Sequence, residues 1–271
     1  MFSPSLFPDT DYAHRLTVKR GDLHAFFAPT AEHDEIMAER NHWLNASPHD
    51  YVAAIREAVA LIAEAARVVA PDVEVSGDAN RDLIAIGCAV EPDIVLLKKG
   101  ADDVFRVVAG CVCFPSSWSL PEKLGLPLDQ VHSVVPDLNT SIGPPIARFL
   151  AKMQRGTSWE RSNWGLSGLP DRNQHPTRKL PPLAPPLSTE NTWLRVEEQI
   201  LAVLPETGGL LFGIRIVRET LAHIQNKQPE IITRLQRALA TMPDEMARYK
   251  NFAAVRDQVV GLLGRSASIT A

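Results

Sequence analysis

The run Asp93-Ile94-Val95-Leu96-Leu97-Lys98-Lys99, the tetrapeptide Gly100-Ala101-Asp102-Asp103 and the run Val104-Phe105-Arg106-Val107-Val108-Ala109-Gly110-Cys111-Val112-Cys113 decide the fold class. Both runs are rich in β-branched and large apolar residues. The residues between them are turn formers, so the three pieces predict a β-hairpin. A second pair stands much later: Leu194-Arg195-Val196-Glu197-Glu198-Gln199-Ile200-Leu201 and Gly209-Leu210-Leu211-Phe212-Gly213-Ile214-Arg215-Ile216 flank Pro205-Glu206-Thr207-Gly208. Its first member is charged enough that propensity alone would also read it as a helix.

The rest of the chain reads as helix and irregular structure around these strands. Residues 1–30 form an aromatic- and proline-bearing arm with little periodicity, which must pack on the body to be ordered. Residues 31–43 read as a short helix. Ser47 is placed to cap a helix whose first position is Pro48 and whose first turn holds Asp50, running to about Ala70 and stopping before Pro71. Between the hairpins lies a long, proline-dotted stretch with one predicted helix over 142–154 and a polyproline-like segment, Leu180-Pro181-Pro182-Leu183-Ala184-Pro185-Pro186. After Val217 the pattern is helical, interrupted near Pro229 and Pro243. The reading is a single α+β domain over 1–271, an antiparallel sheet flanked by helices, with the arm at 1–30 and a helical C-terminal extension over 225–271.

Composition narrows the function classes. Of 271 residues, 45% are hydrophobic and 22% charged, which suffices for a sizeable core without disulfides. The formal net charge of −4 and pI near 6.1 argue against a nucleic-acid surface. Three cysteines, Cys88, Cys111 and Cys113, make no disulfide framework and suit a reducing compartment. Met1-Phe2-Ser3-Pro4 does not begin a signal peptide, and Arg56, Glu57, Glu64 and Arg67 interrupt the most apolar helical stretch, so no membrane span is expected and a cytoplasmic location is. Phosphate-loop, dinucleotide, zinc-protease and nucleophile-elbow signatures are absent.

Local chemistry leaves several candidates with a structural and a functional reading each. Cys111 and Cys113 share a strand face, as inert buried thiols or as a thiolate ligand to haem iron. His132, among apolar neighbours in Gln130-Val131-His132-Ser133-Val134-Val135-Pro136, is either a structural histidine or a neutral imidazole donor. Arg161-Ser162-Asn163-Trp164 is a loop pinned by Trp164 or a pocket wall in which Arg161 offers a planar fork to a carboxylate. Arg195 and Glu197 fall on one face of the predicted strand, as a surface ion pair or as charges inside a pocket.

Five segments in order resemble the haem-dependent oxidative N-demethylase family over roughly residues 5–225. They are Ala109-Gly110-Cys111-Val112-Cys113-Phe114-Pro115-Ser116-Ser117-Trp118, Glu122-Lys123-Leu124-Gly125, Val131-His132 with Val135-Pro136, Arg161-Ser162-Asn163-Trp164, and 194–201 with Leu204-Pro205. The resemblance implies a PAS-like sheet carrying haem b non-covalently, consistent with the lack of a Cys-x-x-Cys-His motif. It implies His132 as the iron ligand and Arg161, Trp164 and Lys123 as cofactor-binding residues. It makes Glu197 the group that holds or deprotonates the amine, with Arg195 and Asn163 beside it. The implied reaction converts a methylated secondary amine such as dimethylamine, with dioxygen, to the demethylated amine and formaldehyde. Its electrons come from NADPH through separate flavin and iron–sulfur proteins, for which this sequence holds no motif. One departure is Glu198, where the family often has a basic residue; on a strand it faces away from Glu197. The alternative expectation is a non-catalytic haem-binding PAS-like sensor or ligand-binding module, against which stands the lack of an obvious output domain.

Overall fold

The computed structural model describes residues 2–267. Position 1 of the arm and positions 268–271 of the C-terminal extension lie outside the described residues. The centre is an antiparallel sheet of β1 (Lys19–Arg20), β2 (Val52–Ala54), β3 (Asp93–Lys99), β4 (Phe105–Cys111), β5 (Ser158–Ser167), β6 (Trp193–Val203) and β7 (Leu210–Thr220), in the order β1-β5-β6-β7-β3-β4-β2. Both predicted hairpins are present, β3–β4 and β6–β7. They join edge to edge through β3 and β7, which pairs Val95 with Phe212 and Leu97 with Leu210. Numbered among themselves, the five long strands run 2-1-5-4-3 from β4 to β5.

The helices flank this sheet in an α+β arrangement. In the first half they are α1 (Leu23–Phe27), α2 (His33–Ala46), α3 (Pro48–Tyr51), α4 (Val59–Val69) and α5 (Ala79–Gly87). The middle holds α6 (Leu128–His132) and α7 (Leu138–Lys152), and the end holds α8 (Leu221–Lys227), α9 (Pro229–Ala240), α10 (Asp244–Tyr249) and α11 (Arg256–Ala267).

Three readings need correction. The helix expected from Pro48 to Ala70 is broken: α3 ends at Tyr51, Val52–Ala54 become β2, and a 3-10 turn at Arg56–Ala58 leads into α4. The open edge of β4 takes Val52 opposite Cys111 and Ala54 opposite Ala109, and this pairing outweighs helix propensity. The segment around Arg161–Trp164 is not a loop but the middle of β5, whose residues are all half-buried or exposed and so give no inside–outside alternation to read. Helix α5, capped by the Asp78 carboxylate accepting from Arg81 N–H at 2.9 Å, went unread before the first hairpin.

Two apolar clusters hold the layers together. In one, Leu61 and Ile62 of α4 and Leu83 and Ile86 of α5 pack on Ile94, Leu96, Val108 and Ala109 of the sheet. In the other, α8–α11 pack on Leu194 and Val196 of β6, with Phe2 and Phe7 of the arm completing the cluster. The arm is thus tied to the C-terminal extension; Phe2 N–H also donates to Gln228 Oε1 at 2.7 Å. Among the described residues no helix is long and apolar enough to cross a membrane.

A buried ion pair pins this assembly. Arg40 of α2 is fully buried and donates from Nη1 to Asp93 Oδ1 at 2.6 Å and from Nε to Gly87 O at 2.9 Å. Asp93, at the start of β3, also accepts Cys113 N–H at 2.7 Å and Phe114 N–H at 2.9 Å. Replacing Asp93 by Ala strands a buried guanidinium and two amide donors. It is expected to lower unfolding free energy by about 3–5 kcal/mol, read as a reduced urea midpoint at unchanged m-value. An unchanged midpoint would show that the pair is not the anchor described.

Candidate functional site

The period of two along β6 puts Arg195, Glu197 and Gln199 on one face. The β5–β6 register sets Gly165 opposite Arg195, Asn163 opposite Glu197 and Arg161 opposite Gln199, so Arg161 and Asn163 share that face. The face opens into a cavity of about 1450 Å³ walled by α6, α7, the N-terminal arm and the Tyr249-Lys250-Asn251 segment. This exceeds the usual volume of a drug-sized pocket, roughly 300–1,000 Å³. All seven site residues expected from the sequence, Lys123, His132, Arg161, Asn163, Trp164, Arg195 and Glu197, line it.

The Glu197 carboxylate is the centre of a polar network. Ser116 Oγ donates to its Oε1 at 2.6 Å, while Gln199 Nε2 donates to Oε2 at 2.9 Å and Asn163 Nδ2 reaches the same oxygen at 3.5 Å. Arg195 does not pair with Glu197 directly. Its Nε donates to Ser116 Oγ at 3.0 Å, Nη1 to Asp171 O at 3.2 Å, and Nη2 to Phe114 O at 2.8 Å and Pro115 O at 3.4 Å. Burial lowers its pKa to about 10, against the pull of Glu197, so it stays a cation. Arg195 is therefore the clamp that holds the 114–116 turn and the Asp171 loop. Glu198 lies one position on, in register with Ser162 and Arg215, on the opposite face from Glu197.

Across the cavity, His132 ends α6 with its ring half-buried and without a hydrogen bond to any described residue. Burial, and then the charge of Arg161, pulls its pKa from 6.5 down to about 4, so the ring is neutral at physiological pH. The Arg161 side chain, itself half-buried, makes no hydrogen bond or ion pair to a described residue, and burial lowers its pKa. Lys123 likewise stands at the wall with no side-chain partner. Trp164 faces away from Asn163 and packs edge-on against Phe7, ring centroids 5.0 Å apart.

Ser116, Gln199 and Lys250 were not singled out from sequence. Gln199 could have been, since it follows Glu197 at the strand period. Ser116 lies within the 109–118 segment that carries the resemblance, but its meeting with Glu197 depends on the turn held by Asp93 and Arg195; Lys250 arrives from the C-terminal extension and carries no local signal. Lys250 Nζ donates to Trp164 O and to Asn163 Oδ1, the latter at 3.4 Å, and lies 5.0 Å from the Trp164 ring centroid. Burial and the charge of Arg161 bring its pKa from 10.5 to about 8, against the pull of Glu197.

The donors fit a group that brings most of its own ligands. Among the described residues no cluster of three or more His, Cys, Asp or Glu side chains could hold a bare metal ion. The cavity offers instead the His132 ring, which has no hydrogen-bond partner, and unpartnered cations, which suits haem: a nitrogen donor for iron and guanidinium or ammonium groups for the propionates. His175 lines the cavity as well, its Nδ1 bonded to Thr177 Oγ1 and its Nε2 buried without a partner. Cys111 and Cys113 are buried in the first apolar cluster and do not line the cavity, which removes them as thiolate ligands. A family model described as haem-dependent oxidative N-demethylase, alpha subunit-like, matches residues 65–260 of the chain.

The depressed pKa of His132 has a direct signature. The native ring binds its proton more weakly than the unfolded one. Its share of stability is fully present above pH 6.5 and fades as pH falls toward 4. In haem-free protein, the ring resonances of His132 are expected to stay at their neutral positions from pH 8 to about 5.5 in an NMR titration. A midpoint near 6.5 would place the ring in solvent and not in the cavity.

Proposed function

From membership of the haem-dependent oxidative N-demethylase, alpha subunit-like family, to which this chain belongs, we propose that the protein binds haem b non-covalently and removes a methyl group oxidatively from a small methylated amine, dimethylamine being the simplest. The methyl carbon leaves as formaldehyde. The observation that supports this most is the pairing, in one cavity, of a neutral unpartnered imidazole with a carboxylate set among neutral donors. A sensor pocket needs the first; an enzyme acting on an ammonium needs both.

When bound, haem supplies dioxygen activation and oxidation of the N-methyl carbon, with electrons from a separate NADPH-linked flavin and iron–sulfur partner. The residues of the chain do the rest. His132 holds the iron from one side of the cavity. Arg161 and Lys123 take the propionates, and Trp164 stiffens the strand between them. Glu197 holds the substrate ammonium and accepts its proton, so that the free amine presents its methyl group. Asn163 and Gln199 fix one carboxylate oxygen and Ser116 the other, which aims Glu197 into the cavity. Arg195 keeps the Ser116 turn in place. The free thiols suit a cytoplasmic location.

Freshly purified protein is expected to show a Soret band, and His132→Ala to lose it while staying folded by circular dichroism. Absence of the band in haem-reconstituted wild type, or an unchanged spectrum in the variant, overturns the cofactor site. Glu197→Gln, by contrast, should keep the spectrum and lower kcat/KM for formaldehyde release about 10²–10⁴-fold, the range for a positioned base. A loss under threefold would remove Glu197 from the reaction.

A further inference from the structure

The charges around Glu197 say more about the substrate than its amine. Of the basic side chains that line the cavity, Arg161, Arg195 and Lys250 are three that feel the charge of this carboxylate. Arg195 is committed to the backbone carbonyls of Phe114, Pro115 and Asp171. The charge of Arg161 is felt by both His132 and Lys250, and it is the group proposed above for a propionate. Lys250 stands against Asn163.

Lys250 has no carboxylate partner within 4 Å among the described residues; both its acceptors, Trp164 O and Asn163 Oδ1, are neutral. An ammonium has three N–H donors, and two are used here. Charges withdrawn from water are normally paired; the Trp164 ring, 5.0 Å away, and the more distant Glu197 offset part of this one, and one N–H donor is left without an acceptor. The Asn163 side chain fixes where that charge stands relative to Glu197. Its oxygen accepts from Lys250 and its nitrogen reaches Glu197 Oε2, so cation and anion sit at the two ends of one amide.

We infer that the substrate is a zwitterion, an N-methylated amino acid, whose ammonium is held by Glu197 and whose carboxylate is held by Lys250. This rests on the N-demethylase reading above and narrows it. In such a molecule one carbon separates the ammonium from the carboxylate, a span that lets each end hydrogen-bond to its own partner across Asn163. A plain dialkylammonium would satisfy Glu197 but would leave the third N–H of Lys250 without an acceptor. Burial is the main cause that lowers the pKa of Lys250, and the charge of Glu197 opposes it. The reaction keeps its balance: the N–CH₃ bond breaks, the methyl carbon is oxidised to formaldehyde, which takes up one oxygen atom of dioxygen, and the other oxygen atom leaves as water with two electrons from the redox partner and two protons. The remaining product is the primary amino acid.

The test compares N-methylglycine with dimethylamine on haem-loaded protein supplied with an electron source, by formaldehyde release, and measures binding of each by calorimetry. Wild type is expected to prefer N-methylglycine in kcat/KM. Lys250→Met should lower the ratio of the two kcat/KM values about 10- to 100-fold, the size of one charge-assisted hydrogen bond, chiefly through KM, and Lys250→Arg should restore most of it. Wild type that turns over dimethylamine but neither binds nor turns over N-methylglycine overturns the inference and leaves the N-demethylase reading intact. Loss of the Soret band in Lys250→Met makes Lys250 a propionate partner and overturns it too. Protein that takes up haem but binds and turns over neither compound overturns both readings.

Discussion

The Arg40–Asp93 pair is the constraint on which the rest of the molecule depends. Its Coulomb energy is not the reason, because desolvation of two buried charges offsets much of it. What the pair supplies is direction. Asp93 opens β3, and its carboxylate accepts the backbone N–H groups of Cys113 and Phe114 just beyond β4, so one side chain fixes where the hairpin ends. Arg40 brings α2 and the end of α5 to the same point through Gly87 O. The close approach of α5 to β4 requires glycine there, since a Cβ on Gly87 would fall 2.5 Å from Cys111 Sγ. From Phe114 the chain turns into Pro115 and Ser116, and it is this turn that Arg195 grips and that delivers Ser116 to Glu197.

The site is therefore a product of register. Arg195, Glu197 and Gln199 face one way because β6 is a strand, and they meet Asn163 and Arg161 because β5 pairs with β6 without a slip along its ten residues. Moving β5 by one residue would exchange its two faces, taking Asn163 away from Glu197 and Trp164 out of the C-terminal apolar cluster. What resists that slip is the embedding of Trp164 in the C-terminal apolar cluster, with Phe7 of the arm at its edge. The arm and the C-terminal helices hold β5 in register and also close the cavity over it.

How much of this the sequence discloses follows from how local each feature is. The two hairpins are legible because apolar runs and turn residues lie next to each other in the chain. The face shared by Arg195 and Glu197 is legible once β6 is taken as a strand. β2 is not, because Val52–Ala54 adopt strand geometry only against the open edge of β4. β5 is not, because it is nowhere fully buried and has no alternation. The same divide runs through the site. Glu197, Asn163 and His132 are reached through the resemblance of short segments, whereas Ser116 and Lys250 come to Glu197 and Asn163 across long separations that no local pattern records.

The single hydroxyl of Ser116 has the largest chemical consequence for its size. A direct Arg195–Glu197 pair, two positions apart on one strand face, would be the simplest way to satisfy both groups. Ser116 prevents it by standing between them, accepting from Arg195 Nε and giving its only proton to Glu197 Oε1. The charge of Arg195 is then spent on backbone carbonyls that have a turn to hold. Glu197 receives its hydrogen bonds from a hydroxyl and two amides, which offset part of its desolvation without cancelling its charge. A carboxylate whose hydrogen bonds come from neutral donors, with no cation paired directly to it among the described residues, can still attract a cation entering the cavity, and that is the property an amine-binding site needs.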